Sequence, residues 1–395
     1  MKRYLLGVVV VSGLVCGPCA ASVTLLGRAE FPLTASDFSG LSDKVAGVPH
    51  NRLGGIGSGI AYSGRDDVYF CIADRGPQDG AANYFCRFQT VRIALTPGVR
   101  VDLVGTTMLT FSDGSPLVGL ASDSSGGTVS GTTTPRRFDP EGIVPSPGGG
   151  LLICEEYGPR VCEFSMDGGL MRVWNPPAGY EIAVPSGDPS AERKGQRSGR
   201  FPNQGFEGLT ITPGGMVYAV MQGALIQDSG GGERLGPDDR NLRVVAFNSA
   251  SGRVKAEYVY RVEQPPPGAK RPYGVSEILA LNETDFLFLE RDGSEKKFRR
   301  VYRASINGAT PIGTGASKDA TPMVKESTPF IDFLDPSFGL AGDMPQKIEG
   351  LTFGPPLPDG RRTLIVASDN DFAEGPTHFW VFAFTEADLP GLSSR

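Results

Sequence analysis

Residues 203–222 read NQGFEGLTITPGGMVYAVMQ. An acid and a glycine, Glu207 and Gly208, head a short apolar run at 209–211; a Pro-Gly-Gly turn follows, then a second apolar run at 216–221 rich in β-branched and aromatic types. This pattern predicts a β-hairpin. The same unit recurs. Glu141-Gly142-Ile143 leads through SPGGG into LLICEEYGPR, Ser276-Glu277-Ile278 leads through LNETD into FLFLERDG, and Ile348-Glu349-Gly350-Leu351 leads through PPLPDGRR into TLIVASDND. A weaker first copy, Ser58-Gly59-Ile60, passes into VYFCIADRG. With Gly59, Glu141, Glu207, Glu277 and Glu349 taken as equivalent, the steps are 82, 66, 70 and 72 residues, the spacing of propeller blades with decorated loops.

A lone strand is predicted at 23–31, and the last unit stops after its third strand, HFWVFAF at 378–384. The early strand can supply the missing outer strand of the last blade, which removes exposed sheet edges. The expectation is an all-β propeller of five four-stranded blades, one domain over 23–395. A sixth blade would have to lie in 111–138, whose Ser/Thr/Gly-rich sequence reads instead as an insertion loop. Segments 188–203 and 308–327 also read as loops. No period of 3.6 is sustained over three turns, which fits the 54 Gly and 32 Pro.

A formal charge of −6 with no dominant basic face argues against a nucleic-acid partner. Residues 1–22 have the form of an export signal: Lys2 and Arg3, an apolar stretch too short to span a bilayer, then small residues. A secreted or periplasmic monomer with no transmembrane segment is expected. A lipid anchor on Cys16 or Cys19 is disfavoured by Val15 and Pro18 before them. Export allows disulfides, and the local pairing would join Cys71 to Cys86 and Cys154 to Cys162.

The acids carry the candidate chemistry. Glu141, Glu207, Glu277 and Glu349 head first strands; Asp74, Glu155, Glu156, Glu290, Asp369 and Asp371 lie near the ends of second strands. If first strands line the axis, these positions converge on one mouth. Carboxylates roughly 6 Å apart repel by about 3 kcal/mol per pair at an effective dielectric near 20. Such a ring must be protonated, paired with arginines such as Arg75, Arg160 and Arg291, or filled by a cation. Hard oxygen ligands without imidazole or thiolate suit Ca²⁺ or Mg²⁺. The alternative reading is that each acid binds neighbouring backbone N–H groups and ties blade to blade.

The stretches VYFCIADRGP, FDPEGIVPSPGGGLLICEEYGPRVCEF, NQGFEGLTITPGG, SEILALNETDFLFLERDG and KIEGLTFGPPLPDGRRTLIVASDNDF resemble the phytase-like family, also described as the "esterase-like activity of phytase" domain. The resemblance implies a secreted propeller whose acids hydrolyse phosphoesters of small molecules. Carried onto this chain, the acids are Asp74, Glu141, Glu155, Glu156, Glu207, Glu290, Glu349, Asp369 and Asp371, with Arg75, Arg291 or Lys347 holding the anion. Rival expectations are a non-catalytic binding propeller with a structural Ca²⁺ and a Ca²⁺-dependent lactonase. No GxSxG elbow is present, and His50 and His378 are the only histidines, so a Ser-His-Asp triad is not expected. His50 should be solvated, Trp174 and Trp380 should pack in the core, and the basic runs 193–200 and 296–300 should be solvated surface.

Overall fold

The computed structural model describes residues 23–293, 297–312, 317–345, 347–373 and 375–393. The export-signal expectation falls on 1–22, outside these residues. The chain is a five-bladed β-propeller of antiparallel sheets. Blade 1 consists of Gly59–Tyr62, Val68–Ile72, Arg87–Ala94 and Arg100–Met108. Blade 2 is Pro140–Pro145, Leu151–Glu155, Arg160–Phe164 and Leu170–Trp174. Blade 3 is Phe206–Ile211, Met216–Met221, Asn241–Asn248 and Arg253–Arg261. Blade 4 has Gly274–Ala280, Asp285–Arg291 and Arg299–Ser305, with an outer strand divided into Val324–Lys325 and Ile331–Asp332. Blade 5 has Lys347–Gly354, Arg362–Asp369 and Thr377–Phe384, and Thr24–Phe31 closes it from the N-terminal side.

The first strand of each blade packs against the first strands of both neighbours, so the five form a closed ring around the axis. Alternate residues of the strands supply separate hydrophobic layers between successive blades, as a side-chain period of two requires when both faces are covered. The insertion 111–138 forms one small hairpin, Gly126–Val129 with Thr132–Pro135, and no sixth blade. Segment 188–203 carries one short helix, Pro189–Arg193, capped by Asp188. Trp174 and Trp380 are core residues, as expected.

Two expectations are corrected. Cys71, Cys86, Cys154 and Cys162 are free, buried thiols. Cys162 stands opposite Ile153 and Cys154 opposite Val161, a one-residue offset that sends the two side chains to opposite faces of the blade and into different interblade layers. Cys71 and Cys86 are likewise split between layers. His50 is buried, not solvated: its Nδ1 bonds Asp43 at 3.0 Å and its Nε2 accepts the Phe85 N–H at 3.2 Å.

Candidate functional site at the propeller axis

Strand register decides which acids reach the axis. In blades 2 to 5 the pairing of first and second strands slips by one residue at the same place, between Pro140 and Ile143, Phe206 and Gly208, Val275 and Glu277, and Ile348 and Gly350. These are β-bulges, in which two residues oppose one and the extra side chain is re-aimed. The extra residues are Glu141, Glu207, Ser276 and Glu349, with Ser58 in the corresponding place of blade 1. In the matching place near the end of each second strand stand Asp74, Glu156, Gln222, Arg291 and Asp369, the last two paired with Gly274 and Lys347. The repeat aligned from sequence is therefore one residue out in two blades: Ser276, not Glu277, matches Glu207, and Ser58, not Gly59, completes the set.

That single residue separates the acids into two kinds. Glu277 turns away from the axis and accepts the Leu209 and Ile278 N–H groups at 2.9 and 3.0 Å, which ties blade 3 to blade 4. Glu155 accepts the N–H groups of Tyr157 and Gly158, both at 2.9 Å, and so closes its own turn. Glu290 is held by the Tyr260 hydroxyl at 2.6 Å, the Glu263 N–H at 2.9 Å and Lys325 at 2.9 Å. These three, expected as metal ligands, hold the fold: Glu155 and Glu290 are bonded through both carboxylate oxygens and Glu277 through Oε1. Arg160 also departs from expectation and pairs with Glu181.

Asp74, Glu141, Glu156, Glu207, Glu349 and Asp369 are gathered and buried at one mouth, together with Asp139, which sequence reasoning missed, and the partly exposed Asp371. Three cations answer them. Arg75 bonds Asp139 at 2.7 Å and lies 3.7 Å from Glu156. Arg291 bonds Glu349 at 2.5 Å, lies 3.8 Å from Glu207 and donates to Ser276 at 2.6 Å. Lys347 bonds Asp369 at 3.2 Å and also bonds Asp371. Gln222 donates to Glu207 Oε1, while Oε2 of Glu207 is buried without a partner among the described residues. Glu141, only 6% exposed, makes no hydrogen bond or ion pair among them.

Burial dominates the electrostatics. It pushes Asp74 and Asp139 up to about 7, against the pull of Lys347 and Arg75 respectively. Burial, then the neighbouring charge of Glu207, raises Glu141 well above the carboxylate range. Glu207 is raised in the same way by burial, Glu156 and Glu349, and Asp369 by burial against the opposing pull of Lys347. Two sets of oxygens lie within 4.8 Å of one another, Asp139–Glu141–Glu156 and Asp74–Asp369–Asp371, so these buried carboxylate clusters have the donors and spacing to bind a metal. The orphaned carboxylate of Glu141 shows that the first set also has an unfilled bonding capacity.

Above this mouth opens a cleft of about 460 Å³. Its floor includes Gln222, Arg291 and Lys347, the partners of the acids; its wall includes Arg234, Arg271 and one acid, Glu233. Arg234 and Arg271 are exposed and have no ion pair among the described residues. The basic run at 193–200 is in part structural: Arg200 is buried and bidentate to Glu192 at 2.8 and 3.0 Å, and Arg193 is buried against backbone carbonyls.

The family model described as "Phytase-like: Esterase-like activity of phytase" matches residues 51–372, which takes in every residue of this mouth. The chain belongs to the phytase-like family. Among curated proteins it is similar to an uncharacterized secreted protein of Arthroderma benhamiae, 30% identical over 308 residues, which cover 62% of this chain and 60% of that one. The match thus spans less than two thirds of the length of this phytase-like chain's relative. Among solved structures it is similar to the PQQ-bound aldose sugar dehydrogenase of Streptomyces coelicolor (12% identical, TM-score 0.36, 93% of this chain and 99% of that one) and to a streptogramin B lyase (12%, 0.32, 91% and 99%).

Asp139 escaped sequence reasoning because its place in the register is held by Gly205, Gly274 and Lys347 in the other blades, so no repeat marks it. Its one sequence signal is the FDPEG run, where it stands two residues before Glu141.

Proposed function

We propose that this phytase-like chain is an exported hydrolase of small-molecule phosphate esters, acting at the axial mouth with a divalent cation, Ca²⁺ in the first instance. The observation that carries the reading is Glu141: a buried carboxyl with no partner among the described residues, beside Asp139 and Glu156, in a mouth whose Gln222, Arg291 and Lys347 line a cleft together with Arg234 and Arg271. Burial and the neighbouring Glu207 make this carboxyl costly to ionise, and a cation is the species that would offset that cost while leaving the acids in place. Asp139, Glu141 and Glu156 would hold the ion. Bound there, it would draw charge from a phosphoryl oxygen and activate a water.

The remaining work falls to the chain's own side chains. Arg234 and Arg271 collect the anion at the rim, and Arg291 and Lys347 present N–H donors from the floor. Asp74, titrating near 7, is matched to accept a proton from the attacking water. Glu207, raised well above the carboxylate range by burial, Glu156 and Glu349, would donate a proton to the leaving oxygen as the P–O bond breaks. Water and ester are thereby converted to alcohol and phosphate with both protons accounted for. Export, with 1–22 as the signal, is supported by the secreted relative.

The test is turnover of phytate and of a bis-aryl phosphodiester by the purified protein, with and without calcium, beside Glu141→Gln, Glu207→Ala and Glu349→Ala. Calcium-dependent cleavage falling at least about 100-fold in Glu141→Gln is the expected result. Cleavage no greater than in the variants would overturn it. Calcium-dependent melting without turnover would favour the binding module, and turnover of lactones alone the lactonase.

A further inference from the structure

The two carboxylate clusters at the axis are not alike. In the first, Arg75 bonds Asp139 and approaches Glu156, and Glu141 is left without a partner. In the second, the Lys347 ammonium bonds both Asp369 and Asp371, and its charge acts strongly on Asp74, the third member. Burial opposes the charge on Lys347, yet Asp369, Glu349, Asp74 and Asp371 together outweigh it and hold the ammonium firmly protonated.

We infer that Lys347 is a resident cation: its ammonium occupies the Asp74–Asp369–Asp371 cluster in the role a second metal ion would otherwise fill, so the protein takes up one divalent cation and not two. This rests on the proposed cation at Glu141 and goes beyond it. The register explains how the two clusters came to differ. Lys347 and Asp139 occupy the same place in blades 5 and 2, one residue before the paired start of the bulge, each across from a second-strand acid. Where blade 2 has an acid there, blade 5 has an amine. In two-metal phosphoester hydrolases a pair of ions about 3.5–4 Å apart clamps the reacting phosphoryl group. Here one of the two positive charges is covalently supplied. Lys347 also lines the cleft floor, so the same ammonium that neutralises the cluster can donate to an anion above it. An ammonium donates hydrogen bonds but offers no coordination site, so it assists in holding the anion and leaves water activation to the other cluster.

The experiment counts bound calcium per full-length chain by equilibrium dialysis after chelator treatment, in the wild type, Lys347→Met and Lys347→Arg, with folding checked by circular dichroism. The expected counts are one, two and one. Two ions in the wild type would overturn the inference while leaving the proposed cation at Glu141 standing, and this result does not depend on any variant folding. A folded Lys347→Met that still binds one ion would also overturn it. No ion in the wild type but one in Lys347→Met would support the resident-cation assignment and remove the proposed cation at Glu141. Should Lys347→Met fold only when calcium is present, and Lys347→Arg fold without it, the inference is supported, since the ion then replaces the ammonium.

Discussion

At the scale of single residues, chemistry and architecture are separated by side-chain parity. Glu277 and Glu207 look interchangeable in the sequence, each heading an apolar run. In the fold, Glu277 accepts two backbone N–H groups, whereas Glu207 sits in the bulge and faces the axis. Removing a buried acceptor leaves its donors unsatisfied, at about 1–3 kcal/mol. Glu277→Ala should therefore lower stability by that order or more in a denaturant titration, with turnover per folded molecule unchanged. Glu141→Gln should do the reverse: stability kept, because a neutral amide of the same shape replaces a carboxyl whose ionisation burial and Glu207 oppose, and calcium dependence lost. Asp74, Glu141, Glu156, Glu207, Glu349, Asp369 and Asp371 were legible in the sequence because an acid near a strand end is a local signal. Glu155, Glu277 and Glu290 misled because parity is set by bulges, which the hydrophobic pattern does not reveal.

At the scale of the element, the Glu-Gly pair that heads the hairpins of blades 2, 3 and 5 has a mechanical meaning. The glutamate is the extra residue of the bulge, and the glycine permits the next blade to approach. A methyl group on Gly208 would lie 2.7 Å from Cα of Glu277 and from the Ile278 nitrogen, and one on Gly142 would lie 2.6 Å from the Leu209 nitrogen. Both obstacles are backbone of the following blade and cannot rotate away. Gly208→Ala should cost about 3 kcal/mol in thermal or denaturant unfolding, as an overpacked site does; a loss within experimental error would mean that the blades are not packed this closely. The hairpins, their order and the closing role of Thr24–Phe31 could be read from the sequence because alternation and turn chemistry are local. The free cysteines could not, since nothing local says which face a residue adjoining a bulge or turn will take.

At the scale of the whole molecule, five short strands bring acids far apart in the chain to one buried mouth, where Arg75, Arg291 and Lys347 answer only some of them. The residual charge makes stability depend on pH. Asp74 and Asp139 titrate near 7 in the folded protein and near 3.9 when unfolded. A carboxyl whose folded value is raised contributes stability fully present below the unfolded value and lost as pH rises through the folded one. Without a cation, the protein should weaken across that window; an ion bound at Asp139, Glu141 and Glu156 replaces the lost protons and is taken up more tightly as pH rises. The most direct test is the melting temperature between about pH 5 and about pH 8, in chelator and in calcium, for the wild type and Glu141→Gln. A melting temperature that falls with rising pH in chelator, is restored by calcium at the upper end, and loses that restoration in Glu141→Gln is the predicted result; a pH-independent melt indifferent to calcium would contradict the account.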